Sequence, residues 1–245
     1  MIEQRIADLR AFLEAHDADG AIIVQPENLR YFSGFTGGEG ALVIGLDKAV
    51  LWTDSRYTEQ AVQQSGSWYD IENHQGALAR SIRQSLTDMD LGVAAYEENF
   101  MTHYLYEAIA DGALCGFLPC DMTGLRAVKE SYELEATRKA SQIADQAFSD
   151  LLPYIKPGVT EKEMAARLES NMLLLGSEEK SFTTIVASGK RSAMPHGTAS
   201  PKVIEKAISL PLISVPSGMA IIPTLPGPSS SVRRRRPKRI STISS

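Results

Sequence analysis

The sequence predicts an α/β domain over residues 1–125, followed by the helix-first opening of a second domain over residues 126–206. Two observations support this prediction. Short apolar segments of strand length alternate with amphipathic segments of helix length in the first part, which is typical of an α/β layer architecture. A long charged helical segment then starts at Ser131, and no Asp or Glu follows Glu205. We therefore expect residues 207–245 to be a separate, disordered tail.

The first domain begins with a helix, because Ile2, Ile6, Leu9, Phe12 and Leu13 recur at helical spacing. Gly20 is its expected stop. Strands are expected at residues 21–24, 41–45 and 49–54, in "YDIENH" and in "LGVAAYEE", with helices in "SRYTEQAVQQ" and "ALARSIRQSL". The glycine-rich "FSGFTGGEG" lacks the Lys of a phosphate loop and the fingerprint of a dinucleotide site, so it is interpreted as a turn between strands.

The second domain opens with two predicted helices. The first has its apolar side at Leu134, Ala140, Ala144, Phe148, Leu151 and Ile155, and it is broken at Pro157. The second starts at a capping box of Thr160 and Glu163 and stops at Gly176. Its buried stripe is Met164, Leu168, Met172 and Leu175, and its acids Glu161, Glu163 and Glu169 are expected on a solvated face. A strand-like run with a turn at Gly189 follows, and a loop then continues to Lys206.

Charge is distributed unevenly along the chain. The formal net charge is −5, but residues 207–245 hold six bases and no acid, which leaves 19 bases against 30 acids in the remainder. An acidic body excludes a specific nucleic-acid surface, since phosphate binding needs clustered Lys and Arg. The run "RRRRPKR" keeps a polyanion-binding or targeting role open as an alternative.

Several features argue for a cytoplasmic protein without a membrane partner. The N-terminal segment carries charge throughout, and no apolar run approaches the roughly 20 residues of a membrane span. Cys115 and Cys120 are too few for a disulfide framework and have no nearby His or second Cys pair to complete a zinc site, so both are expected to be thiols. His16, His74 and His103 also lack ligand spacing, and we expect them at the surface or in capping positions.

Three segments in order resemble a known family. They are "LRAVKESYELEATRKASQIADQAF", "PGVTEKEMAARLE" and "SFTTIVASGKRSAMPHGTAS", which look like the start of the catalytic domain of Xaa-Pro aminopeptidases and prolidases, the pita-bread metallopeptidases. The earlier "RYFSGFTGGEGALVIG" and "LWTDSRYTEQA" resemble the creatinase-type N-terminal domain of that family. The resemblance covers residues 1–206. It implies a creatinase-like α/β domain followed by an incomplete pita-bread (α+β) domain.

The same resemblance implies a function for an intact relative. Such an enzyme would hydrolyse the bond before proline at the N-terminus of a peptide, with two divalent metals such as Mn²⁺ held by two Asp, one His and two Glu. Proline-containing peptides would be its ligands, and it could form a homodimer through the N-terminal domain. His196 in "MPHG" matches the His that lies over the metals and contacts substrate, which makes it the candidate substrate-binding residue; without the resemblance it would be interpreted as a solvated loop residue.

The five metal ligands of the family are expected after His196, and this chain departs from the pattern there. The first Asp should lie in a "DFG" strand about seven residues past Glu205 and Lys206, where the chain has "PLISVPSG". The resemblance therefore predicts no metal ligand and no bound cofactor in this chain, and an inactive enzyme. The alternative is a dimerising interaction module that acts without catalysis.

A frameshift explains this departure. Codons for "AISLPLISVPSGMAIIPTLPGP" can be chosen that, read one base out of step, encode "GDFVTFDFGAERHGYYSDITRT". The shifted frame resembles the metal-binding strands and places Asp under Ile213 and under Thr224. The basic run is then an accident of the shifted codons. We therefore expect residues 207–245 to be the product of a shifted frame.

Overall fold

The computed structural model describes residues 1–180 and 182–205, together with the backbone of two short strands at Leu212–Ile213 and Pro216–Ser217. The chain divides into two compact units, Met1–Val128 and Lys129–Ser245. Among the described residues, no helix combines the length and the apolar character that crossing a membrane requires.

The first unit is built on a six-stranded mixed sheet in the order β4-β3-β2-β1-β5-β6. The strands are β1 (Gly20–Ile23), β2 (Ala41–Gly45), β3 (Ala49–Thr53), β4 (Asp70–Asn73), β5 (Val93–Glu97) and β6 (Gly116–Cys120), and the helices are α1 (Ile2–Glu14), α2 (Pro26–Ser33), α3 (Thr58–Ser65), α4 (Leu78–Asp88) and α5 (His103–Ala110). β1 pairs antiparallel with β2 and parallel with β5. The α/β class predicted from the sequence is confirmed.

Helices cover both faces of this sheet, and successive side chains of β2 point alternately into two buried clusters, one on each face. Leu42 and Ile44 lie in one buried cluster with residues of α1 and α2, while Ala41 and Val43 lie in a second cluster with residues of α4 and α5. All five residues of β2 are buried. A continuous apolar strand is what coverage on both faces requires, since neither side of the strand meets water.

Three elements of the first unit were not predicted, and one residue has a different role. α2, α5 and β6 are short, and α2 begins with Pro26 directly after a buried strand. Gly20 does not stop α1 but opens β1, where a Cβ would lie 2.8 Å from the Ile44 carbonyl oxygen. The segment "FSGFTGGEG" is not a turn between strands, because its first two residues end α2 and Gly34 terminates that helix at φ +77°.

The second unit opens with α6 (Ser131–Leu151), a 3-10 turn at Leu152–Tyr154 and α7 (Glu161–Leu174). The predicted apolar side of α6 is partly wrong, since Leu134 is 44% exposed and the buried apolar residues are Ile143, Ala147 and Leu151. These three follow a spacing of four and share one core with Met164 and Leu168 of α7.

The capping box that begins α7 is present in both directions, from Thr160 to Glu163 and back. Gly176, at φ +97°, follows the helix, as predicted. Met172 is buried as expected, whereas Leu175 lies beyond the last helical turn and is 37% exposed.

Two pairs of short antiparallel strands follow α7 in the second unit. β7 (Glu179–Lys180) pairs with β10 (Pro216–Ser217), and β8 (Ile185–Val186) pairs with β9 (Leu212–Ile213). The sequence predicts a disordered tail over residues 207–245, but β9 and β10 lie within that segment. The rest of that prediction lies outside the described residues.

Candidate functional site

His196 lies at the tip of a loop, residues 188–200, that we call the His196 loop. A 3-10 turn at Gly189–Ala193 forms its first part. The backbone N–H of Gly197 then donates to the carbonyl oxygen of Met194 at 3.1 Å, which places Pro195 and His196 at the two corner positions of a β-turn. Proline suits the first corner because its ring presets φ near −65°. His196 is exposed at the second corner.

Glu161, in the first turn of α7, holds both ends of this loop. It is 0% exposed. Its Oε1 accepts from the backbone N–H of Ser188 at 2.7 Å and from the Ser188 hydroxyl at 2.8 Å. Its Oε2 accepts from the Ser200 hydroxyl at 2.6 Å, from the Ser200 N–H at 3.1 Å and from the Arg191 guanidinium. We call Glu161 with Ser188, Arg191 and Ser200 the Glu161 clamp.

The prediction that Glu161, Glu163 and Glu169 share a solvated face is therefore wrong for Glu161. Glu169 is half-buried, and its Oε1 accepts from the Thr184 hydroxyl at 2.7 Å. Only Glu163 is exposed as expected, and its bonds from the Thr160 backbone N–H and hydroxyl lower its pKa. The sequence pattern cannot separate these acids, because the partners of Glu161 lie 27 to 39 residues further along the chain.

Backbone hydrogen bonds attach the end of the loop to the start of α7. The N–H of Glu161 donates to the Lys202 carbonyl at 3.0 Å, and the N–H of Lys162 donates to the Ser200 carbonyl at 3.1 Å. These are amide groups of the first helical turn, which have no acceptor within the helix. The loop thus satisfies the helix terminus, and the Lys202 ammonium adds a bond to the Ser188 hydroxyl at 2.8 Å.

The other histidines make local contacts. A ring nitrogen of His16 lies 2.7 Å from the Phe12 carbonyl oxygen, and Nδ1 of His74 lies 3.1 Å from the carbonyl oxygen of Gly76. His103 is the exposed first residue of α5. Surface and terminal positions were predicted for all three. Cys115 and Cys120 are free thiols, as predicted, and burial raises the pKa of each.

The residues of the chain do not fit the two-metal centre that the family resemblance implies. Over the part of the chain that the structure describes, no three or more His, Cys, Asp or Glu side chains lie together in a group that could hold a metal. Residues 206–245 contain none of these four residue types in their sequence. We therefore derive no catalytic step through a metal for this chain.

A buried acid in the first unit was also missed by the sequence analysis. Glu97, at the end of β5, is 3% exposed. Its carboxylate accepts from the N–H groups of Val24 and Gln25 at 2.6 and 2.7 Å and from the Asn28 amide at 2.6 Å. It therefore holds the two residues that precede α2 and the Asn28 side chain in the first turn of α2, while burial raises its pKa. A cavity of about 210 Å³ in the same unit is lined by residues that include Val24, Gly40 and Phe100.

Comparison with known proteins agrees with this architecture. Residues 5–131 match the family model of the Creatinase/Prolidase N-terminal domain, and residues 135–212 match that of Metallopeptidase family M24. The Xaa-Pro dipeptidase from Bacillus anthracis has a similar structure, with a TM-score of 0.84 and 33% identity over 88% of this chain and 61% of that one. The X-Pro aminopeptidase from Thermotoga maritima gives a TM-score of 0.73 and 34% identity over 82% of this chain and 59% of its own.

Curated relatives cover the same part of the chain. The uncharacterized peptidase YqhT of Bacillus subtilis is 38% identical over 206 residues, and the Xaa-Pro dipeptidase of Pyrococcus furiosus is 31% identical over 209 residues. These alignments take in 82% and 84% of this chain and 58% of each relative. The chain thus spans about three-fifths of the length of the curated relatives it matches. From its two matched segments and its fold, the chain belongs to the creatinase/prolidase family, with an N-terminal domain of that type and the opening of an M24 metallopeptidase domain.

Proposed function

We propose that this chain represents the N-terminal domain and the start of the catalytic domain of a peptidase that acts on proline-containing dipeptides. The proposed division is a creatinase-type domain at 1–125 and the opening of the peptidase domain at 126–206. The observation that supports it is the His196 loop, where the Glu161 clamp presents an exposed imidazole from a segment that matches the M24 family.

The proposed role of His196 is to contact the substrate. An imidazole at the corner of a β-turn is exposed on its ring edge, where one nitrogen can donate to a carbonyl or carboxylate oxygen of a peptide. Relatives named Xaa-Pro dipeptidases favour a dipeptide as that substrate. A longer peptide, as the name of the Thermotoga maritima neighbour suggests, is the other outcome.

We further propose that the chain as it stands does not hydrolyse its substrate. The chemistry that the family resemblance implies is supplied by two divalent metals, such as Mn²⁺, when they are bound. The described residues offer no cluster of ligands for them, and residues 206–245 carry no carboxylate, imidazole or thiol. What this chain retains is a means of orienting a peptide, not of cleaving it.

The proposed cause is a shifted reading frame after Lys206. Codons can be chosen for "AISLPLISVPSGMAIIPTLPGP" that, shifted by one base, encode "GDFVTFDFGAERHGYYSDITRT", with Asp at positions 213 and 224. The gene's nucleotide sequence tests this directly. Codons that do not shift into a "DFG" strand would eliminate the frameshift.

The activity experiment compares two forms of the protein. The chain as given and a form with the frame restored are each incubated with Mn²⁺ and an Xaa-Pro dipeptide, and release of proline is followed. We expect no turnover from the first form and turnover from the second, with KM raised in its His196→Ala variant. Turnover by the first form that copurifies with the protein would overturn the proposal of inactivity, and an unchanged KM would overturn the role of His196.

The second candidate function is a dimerising interaction module, based on the complete fold of the first unit. Its test is the mass of the purified chain by light scattering. A stable dimer together with no turnover would favour this alternative, and a cytoplasmic location is proposed for either function.

A further inference from the structure

We propose that Glu161 is a positioning residue that sets the place of His196 before any substrate binds. The inference rests on the proposed substrate contact of His196. It concerns a residue in the first turn of α7 that lies on a different element from the histidine it controls. Glu161 would act through the loop and would not itself touch the peptide.

The first argument is that one side chain closes the loop at both ends. Oε1 takes two donors from Ser188 at the start of the loop, and Oε2 takes two donors from Ser200 at its end. Each oxygen of a carboxylate has two lone pairs and can accept several bonds at once. Joining the two ends about a dozen residues apart through one rigid group removes conformations in which the tip could wander.

The second argument concerns Arg191, whose guanidinium donates hydrogen bonds to Glu161 and to the part of the loop that follows His196. Its Nη1 donates to Glu161 and to the Ser200 hydroxyl at 2.9 Å, and its Nη2 donates to the Thr198 carbonyl at 2.8 Å. The guanidinium therefore ties the 3-10 turn before His196 to the strand-like residues after it. Since a planar guanidinium holds several donors in fixed directions, it constrains orientation as well as distance.

The third argument is that the turn itself has little room. Gly197 is buried, and a Cβ there would lie 2.8 Å from the Cβ of Ala187 and 3.2 Å from the Met194 carbonyl oxygen. The turn therefore packs directly against the residue that follows β8. A shift of either loop end is transmitted to His196, because the turn cannot absorb it by compressing against Ala187.

The core of the helix pair is formed by apolar side chains and not by the Glu161 carboxylate. Met164, Leu168 and Met172 of α7 form a buried cluster with Ile143 and Ala147 of α6, and Ala199 of the His196 loop packs against it. Loss of the Glu161 carboxylate should thus loosen the loop while leaving α6 and α7 packed. This separation makes a positioning role distinguishable from a general role in folding.

The test uses the full chain and its Glu161→Gln variant. Five hydrogen-bond donors converge on the two Glu161 oxygens. In Gln one of these oxygens is replaced by an NH2 group, which is a donor and cannot accept, so the groups that bonded to that oxygen lose their acceptor. Glu163→Gln is the matched control, since Glu163 lies in the same helical turn, is exposed and has its hydrogen bonds to described residues within the capping box. Amide hydrogen exchange is measured across residues 185–204 and across α7, and the His196 imidazole is followed by NMR.

We expect exchange at Ser188, Ser200 and the residues between them to rise about tenfold or more in Glu161→Gln, as the loss of one buried hydrogen bond or more implies. Exchange in α7 should stay at the native rate, and the His196 resonance should move towards that of a free peptide. Glu163→Gln should change neither loop exchange nor the His196 signal.

Native-like loop exchange and an unchanged His196 signal in Glu161→Gln would overturn the proposal, as would equal loss of protection in the loop and in α7. If Glu161→Gln does not fold, Ser200→Ala removes one end of the clamp only, and it must raise loop exchange and shift His196 for the proposal to stand. These readouts need no substrate. A failure of His196 to bind peptide therefore appears separately, as an unchanged KM of His196→Ala in the form with the restored frame.

Discussion

Replacement of Glu97 by Ala should destabilise the first unit by about 2–4 kcal/mol. The carboxylate accepts from three donors, and the Asn28 amide among them belongs to a side chain that is 1% exposed. Leaving one buried donor unpaired costs about 1–3 kcal/mol. The N–H groups of Val24 and Gln25 are half-buried, so water compensates part of their loss. Removing a desolvated carboxylate offsets a further part.

The assay follows from the position of the tryptophans. Both Trp52 and Trp68 lie in the first unit, so their fluorescence during urea denaturation reports that unit alone. Glu98→Ala is the matched control, because Glu98 is the next residue and is exposed. A Glu97→Ala variant whose unfolding free energy falls no further than that of Glu98→Ala would refute the anchoring role of Glu97.

Three further predictions concern pH, the helix cap and the thiols. Burial raises the pKa of Glu97 above its ordinary 4.5, so the folded state binds the Glu97 proton more tightly than the unfolded state does. The contribution of Glu97 to the free energy of unfolding should therefore fall as pH rises above 4.5. Urea denaturation of Glu97→Gln should show a smaller fall in that free energy over the same pH range. Thr160→Ala removes the side chain that caps α7 and should cost about 1 kcal/mol, seen as faster amide exchange in that helix, and an unchanged rate would contradict it. Buried Cys120 should react with an aromatic disulfide reagent more slowly than half-buried Cys115. Both thiols should react more slowly than glutathione, because burial raises the pKa of each. Equal reaction rates in the folded and the denatured chain would contradict this prediction.

Local patterns were sufficient for the elements whose partners are close in sequence. The strands at 41–45 and 49–53 are continuous or alternating apolar runs joined by a short turn, and the structure has them there. The capping box at Thr160 needs only the residue three positions later. At "MPHG" the sequence predicts only a loop, although its proline favours the first corner position of the β-turn that the structure has there.

Elements and roles that depend on distant residues were not predictable in this way. α2 has eight residues, and the two residues before it are held by Glu97, about 70 positions further along the chain. An eight-residue helix is marginal alone in water, so packing and these distant contacts decide whether it forms. The buried face of α6 was misplaced for the same reason, since Leu134 satisfies the helical pattern but is not among the residues that α7 covers.

By itself, the sequence determined the α/β class, the helix pair of the second unit, the family resemblance and the absence of metal-ligand residue types from residues 206–245. These properties follow from residue type and spacing, which every copy of the chain carries whether folded or not. Only the tertiary structure decided that Glu97 and Glu161 are buried and which groups donate hydrogen bonds to each carboxylate. A carboxylate in a first helical turn or after a strand is ordinarily exposed, and it becomes a buried acceptor only when folding brings donors from distant segments to both of its oxygens.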